Sequence, residues 1–106
     1  MQQLSPTQLK NHLEASERQP VLLDVRELWE FDTCHLEGSL HIPMGEIVNR
    51  IDELPDDEEI VVICHHGIRS MQVAMYLMHN GFEKVINLSG GVDGWAKEVD
   101  RDMPLY

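Results

Sequence analysis

A chain of 106 residues argues for one domain, 1–106, long enough to bury a core without disulfides or metals. Its formal charge of −11 makes nucleic acid and anionic membrane poor partners. It holds two cysteines, no apolar run long enough to span a bilayer, and no apolar core in its opening MQQLSPTQLK, so the expected setting is a reducing cytoplasm with both thiols free.

Ser5-Pro6-Thr7-Gln8 reads as a helix start, with Ser5 as cap, Pro6 in the first turn and Gln8 reaching back, and predicts a short helix to about Ala15. PVLLDV (20–25) is a continuous apolar run ending in an acid, and EIVVIC (59–64) is a second. Neither alternates, so both faces of each strand should be buried, as in a parallel sheet covered by helices. SLHI (39–42) is a weaker strand candidate, and the acidic stretch Asp56 to Glu59 reads as a solvated loop. The clearest helix follows the second run: Ile68, Met71, Ala74, Met75 and Met78 recur at helical spacing, and Gly81 stops them. KVINLS (84–89) completes a strand–helix–strand unit. The chain is therefore expected to be α/β with a mainly parallel sheet, whose ligands bind at the carboxyl ends of strands.

Cys64 lies at one such end, just before a helix. A thiol there faces unpaired backbone N–H groups and the positive end of the helix dipole. Gly67 permits backbone angles that other residues resist, so several amides can converge on one spot. Arg69 adds fixed positive charge, and His65 and His66 add more when protonated. In so acidic a chain this concentration points to function: the site suits a negative charge on, or next to, sulfur.

Several motifs in order carry a resemblance to the rhodanese-like sulfurtransferases. LLDVRE (22–27) resembles that family's first signature, and HLEGSLHIP (35–43) its Gly-His-Ile-x-Gly-Ala-x-Asn-Ile-Pro segment. CHHGIRS (64–70) matches its active-site loop Cys-x-x-Gly-x-Arg-Ser, and LSGGVDGW (88–95) its closing Gly-Gly-x-x-x-Trp pattern. The resemblance implies a five-stranded parallel sheet with helices on both faces. It implies that Cys64 accepts a sulfane sulfur as a persulfide, cradled by the loop of His65, His66, Gly67, Ile68, Arg69 and Ser70. Arg69 is then expected to shape the loop and bind an anionic donor. Asp24 and Arg26 resemble a family pair that braces the sheet edge near the loop, and Gly90, Gly91, Gly94 and Trp95 a turn and packed cap. Cys34 stands where the family commonly has Gly, which raises the idea of a resolving thiol, although nothing in the sequence places it beside Cys64. His35 reads as structural. No cofactor is expected, and no metal, because adjacent residues on a short loop do not readily surround one tetrahedral ion.

Three functions compete. Sulfur transfer from a small donor such as thiosulfate to cyanide or a thiol would run through a Cys64 persulfide in two steps. A sulfur-carrier or binding module would serve a protein acceptor. A phosphatase or arsenate reductase would use the Cys-x5-Arg loop of related phosphatases, but here four residues separate Cys64 from Arg69. The tighter loop suits one sulfur atom better than a tetrahedral phosphate.

Overall fold

A computed structural model describes all of residues 1–106. Five strands, β1 (Gln2–Leu4), β2 (Val21–Asp24), β3 (Leu40–His41), β4 (Ile60–Ile63) and β5 (Val85–Leu88), form one sheet in the order β1-β5-β4-β2-β3. Every neighbouring pair is parallel. The helices are α1 (Pro6–Ala15), α2 (Leu28–Thr33), α3 (Ile47–Arg50), α4 (Ile68–His79) and α5 (Gly91–Glu98). Short 3-10 turns at Met44–Glu46 and Ile51–Glu53 flank α3.

The placement follows from the side chains. IVVI of β4 is β-branched and buried at all four positions, which suits the centre of a sheet covered on both faces. Alternation along the strands divides the interior. Leu23, Ile60, Val62 and Cys64 pack with Val73, Ala74 and Leu77 of α4 on one face. Val61, Ile63, Ile86 and Leu88 pack with Leu9 of α1 and Val92 of α5 on the other. The five-stranded parallel sheet with helices on both faces is thus the architecture observed. The predicted start of α1 also holds: Ser5 Oγ accepts from the Gln8 amide at 3.2 Å, and the Ser5 amide donates to Gln8 Oε1 at 2.9 Å.

Two features differ from the sequence reading. β1 is a three-residue edge strand with two exposed glutamines, too short and polar to carry a pattern; it forms because its backbone pairs with β5 from Gln2↔Ile86 to Leu4↔Leu88. The helix α4 is where periodicity placed it, but its phase is not. Of the five periodic positions only Ala74 is buried, while Ile68, Met71, Met75 and Met78 are 72, 37, 49 and 38% exposed. The inward face is Ser70, Val73, Ala74 and Leu77, because Ser70 at the first turn is fixed against the Cys64 sulfur.

Candidate active site

Cys64 follows the central strand at its carboxyl end and is 1% exposed. Gly67 N–H and Ser70 N–H both donate to its sulfur, at 3.1 and 3.3 Å. This convergence requires Gly67 to sit at φ 101°, with the backbone of Leu88 and Gly90 3.2 Å from where a Cβ would be. As a thiol, Cys64 donates to Ser70 Oγ at 3.3 Å, and the Ser70 hydroxyl donates to Asn87 Oδ1 at 2.5 Å. Asn87 cannot turn over without loss, since its Nδ2 donates to Gln3 Oε1 at 2.9 Å and to the Gly67 carbonyl at 3.2 Å. With that hydroxyl committed to Asn87, the two amides are the donors available to a thiolate or to a sulfur attached to it. They form an anion nest on the N-terminus of the 12-residue helix α4.

A second helix backs the loop. Val92 N–H donates to the Cys64 carbonyl at 2.8 Å, and Asp93 N–H to that of His65 at 3.0 Å. The fit leaves no room at Gly91, where a Cβ would lie 2.4 Å from both carbonyl oxygens. The Gly-Gly element is therefore the contact between α5 and the loop.

Two guanidinium–carboxylate pairs stand beside this loop. Arg26 and Asp24 are each 0% exposed and joined by Nε–Oδ1 at 2.9 Å and Nη2–Oδ2 at 2.7 Å. The remaining Arg26 hydrogens reach the Glu30 carbonyl at 3.2 Å, the Cys34 carbonyl at 2.5 Å and Tyr106 Oη at 2.7 Å. Burial alone would lower the Arg26 pKa, but the bonds from Asp24 and Tyr106 outweigh it and hold it raised. β2 lies between β4 and β3, so this pair braces the carboxyl end of an interior strand rather than a sheet edge. In the second pair Arg69 places both arms on Glu30, Nη1–Oε1 at 2.7 Å and Nη2–Oε2 at 2.8 Å. Arg69 holds the Glu30 carboxyl down to about 2, against the opposing effect of burial, and Glu30 raises Arg69 in return. Tyr106 joins the pairs: its hydroxyl accepts from Arg26 and donates to Glu30 Oε2 at 2.9 Å. Burial is the first cause pushing Tyr106 up to about 12.

The histidines lie at the rim. The His65 ring stacks on Tyr106 at 4.1 Å and touches His66 at 4.0 Å, while Trp29 meets Tyr106 in an edge-to-face contact at 5.6 Å. Burial, then the neighbouring His66, lowers the His65 pKa, and its Nε2 is enclosed without a hydrogen-bond partner. Asp93 brings one donor atom within 4.8 Å of those of both histidines. The chain thus has a three-donor cluster that the loop sequence alone did not suggest, although Asp93 already binds Lys97 Nζ at 2.9 Å. His35 has a structural environment, with Nδ1 2.8 Å from the Phe31 carbonyl and its ring stacked on Phe31 at 3.9 Å. Cys34 is free and packs on the face of the sheet opposite Cys64, which argues against a resolving role.

The structure therefore gathers Cys64, His65, His66, Gly67, Arg69 and Ser70 in one loop, with Asp24 and Arg26 behind it and Ile68 pointing to solvent. Sequence reasoning missed Glu30, Asn87 and Tyr106. The one local signal for Glu30 was its place three residues after Glu27, whose amide donates to it at 3.0 Å.

The chain matches the model of the rhodanese-like domain over residues 5–98 and belongs to that family. It is 42% identical over 79 residues to the "Putative sulfur carrier protein YrkF" of Bacillus subtilis, an alignment covering 74% of this chain and 43% of that protein. It is 35% identical over 77 residues to the thiosulfate sulfurtransferase GlpE of Glaesserella parasuis, covering 73% of this chain and 71% of GlpE. A rhodanese-like domain protein from Staphylococcus aureus superposes with a TM-score of 0.84 at 29% identity, over 93% of this chain and 95% of that one. The chain thus spans less than half of the first relative's length, and its kinship supports rhodanese-type sulfur transfer in general terms. No helix is long and apolar enough to cross a membrane.

Proposed function

We propose that the chain works as one domain that takes a sulfane sulfur onto Cys64 from a donor such as thiosulfate and passes it to a nucleophilic acceptor, cyanide or a thiol. The observation that carries this reading is the pair of amides, Gly67 and Ser70, aimed at the Cys64 sulfur at 3.1 and 3.3 Å. In the first step the Cys64 thiolate bonds to the outer sulfur of the donor. The donor S–S bond breaks and, with thiosulfate, sulfite leaves with the electron pair. In the second step the acceptor attacks the outer sulfur of the persulfide and the Cys64 thiolate is regenerated. The loop of His65, His66, Gly67, Ile68 and Ser70 cradles the added sulfur, and Arg69 holds the loop closed through Glu30. Two free cysteines suit a reducing compartment such as the cytoplasm.

The four-residue spacing between Cys64 and Arg69, and the commitment of both Arg69 arms to Glu30, count against a phosphatase or arsenate reductase, which needs its guanidinium on the oxyanion. A carrier role toward a protein acceptor draws support from the Bacillus relative, named as a putative sulfur carrier protein. It differs from turnover on small acceptors only in the second step.

The test is intact-mass measurement after incubation with a sulfane-sulfur donor and removal of acceptor. One added sulfur atom is expected in the native protein and in Cys34→Ser, none in Cys64→Ser, and cyanide should remove it. Equal loss in both variants, or hydrolysis of an aryl phosphate through Cys64 without a sulfur adduct, would refute the reading.

A further inference from the structure

The loop arginine supplies no free charge to a substrate. Both Arg69 arms are on Glu30, and Glu30 is 4% exposed and held further by Tyr106 and the Glu27 amide. The nearest other guanidinium, Arg26, is fully buried on Asp24. On the histidine side, Lys97 is bound by Asp93, and burial keeps His65 from charging easily. Of the eight lysines and arginines, only Lys84 and Arg101 lack a carboxylate partner. Lys84 precedes β5, at the opposite end of the sheet from Cys64, and Arg101 lies in the turn after α5. Around this site of paired arginines and lysine stands a chain of charge −11. A dianionic donor approaching a thiolate here meets repulsion at long range and no lysine or arginine free of a carboxylate at short range.

Resting on the sulfur-transfer reading, we propose that Glu30 sets the charge of the sulfur donor. By neutralising Arg69 it makes the site select persulfides whose leaving thiol is uncharged or cationic over thiosulfate-like dianions. The step balances without any further reactant: Cys64–S⁻ bonds to the outer sulfur of R–S–SH, the donor S–S bond breaks, Cys64–S–SH forms, and R–S⁻ departs with the electron pair. With thiosulfate the same step must concentrate three negative charges in a pocket whose arginines are already paired. Glu30 acts through Arg69 and is a positioning residue.

The experiment measures second-order rate constants for loading Cys64, by rapid quench and intact mass, on the Cys34→Ser background. The donors are the persulfides of 2-aminoethanethiol, 2-mercaptoethanol and 3-mercaptopropionate, which differ in charge but not in the bond broken, together with thiosulfate. Rates should fall in that order, by about tenfold across the persulfide series. Thiosulfate loading should quicken as salt is added, because screening relieves like-charge repulsion. Glu30→Gln keeps a hydrogen-bonding isostere beside Arg69 and should raise the ratio of thiosulfate to aminoethyl persulfide rates by about tenfold, a change in selectivity that loss of packing alone would not give. Thiosulfate loading that is fastest and slows with salt would overturn the assignment, as would a ratio that Glu30→Gln leaves unmoved. Should that variant fail to fold, the charge series and salt dependence of the native loop decide the matter. Absence of any sulfur adduct with all four donors would overturn the sulfur-transfer reading along with it, whereas normal adducts in the reverse order would overturn the donor assignment alone.

Discussion

Asp24–Arg26 and Glu30–Arg69 are chemically the same pair, set a few ångströms apart through Tyr106, yet they differ in what water can reach. The first has both side chains at 0% exposure, while in the second Arg69 is 36% exposed and Glu30 5%. A sealed pair cannot trade its partner for a substrate. Its value lies in organising the Glu30 and Cys34 carbonyls that Arg26 also holds. The half-open pair faces the loop and can be edited without unfolding the sheet. Burial, rather than the identity of the residues, separates architecture from function here.

The sharpest way to break the contrast is Asp24→Asn. It leaves the Arg26 charge buried with no carboxylate, and should cost about 3–5 kcal/mol, seen as a large drop in the denaturant midpoint at unchanged slope. Arg69→Ala comes next. Because solvent screens the exposed half of this pair, the expected stability loss is about 1–2 kcal/mol. Sulfur loading should nevertheless fall by at least about tenfold, since the loop loses its tether and Glu30 is left as an uncompensated charge, while Arg69→Lys, without the fork, should recover only part of it. A loading rate untouched by Arg69→Ala would show that the second pair is as purely architectural as the first.

Glu30→Gln is milder at neutral pH, because the amide still accepts from the Glu27 amide or from Arg69. Its signature lies in acid. The folded Glu30 carboxyl titrates near 2 against an ordinary value of 4.5, so its stabilisation is complete above about 4.5 and is lost as pH falls toward about 2. Removing the group should flatten the fall in stability across that window, measured by denaturant midpoints at successive pH values. An unchanged acid limb would mean that Glu30 is not held low by Arg69. Tyr106→Phe is the smallest perturbation, deleting one hydroxyl that accepts from Arg26 and donates to Glu30. A loss of about 1 kcal/mol is expected, and a double-mutant cycle with Glu30→Gln should show coupling.

The residues that sequence made legible share one property: their signal is local. The capping box of α1, the continuous apolar runs of β2 and β4, the short KVINLS strand and the Cys64–Ser70 loop each fit within a few consecutive positions. What escaped depends on closure of the fold. Glu30 and Arg69 are 39 residues apart, and Tyr106 and Glu30 are 76 apart. In sequence Asn87 is one more strand residue, yet its side-chain amide locks both Ser70 and Gly67. The buried face of α4 has a related cause. Its methionines and Ile68 have the right period, but Ser70 is required at the sulfur and rotates the helix so that Val73, Ala74 and Leu77 turn inward instead. Hydrophobic period locates a helix, but one polar contact in its first turn can decide which face it buries.

The absence of clearance at Gly91 carries a last consequence. Because Val92 and Asp93 donate their amide hydrogens to the carbonyls of Cys64 and His65, the Cys64–Ser70 loop cannot swing away from α5 without breaking those two bonds. Any excursion that admits a bulky partner to the sulfur must therefore expose two amides belonging to a different helix. Deuterium uptake at Val92 and Asp93 becomes a remote gauge of how often the loop breathes, readable on a protein whose cysteine has never been touched.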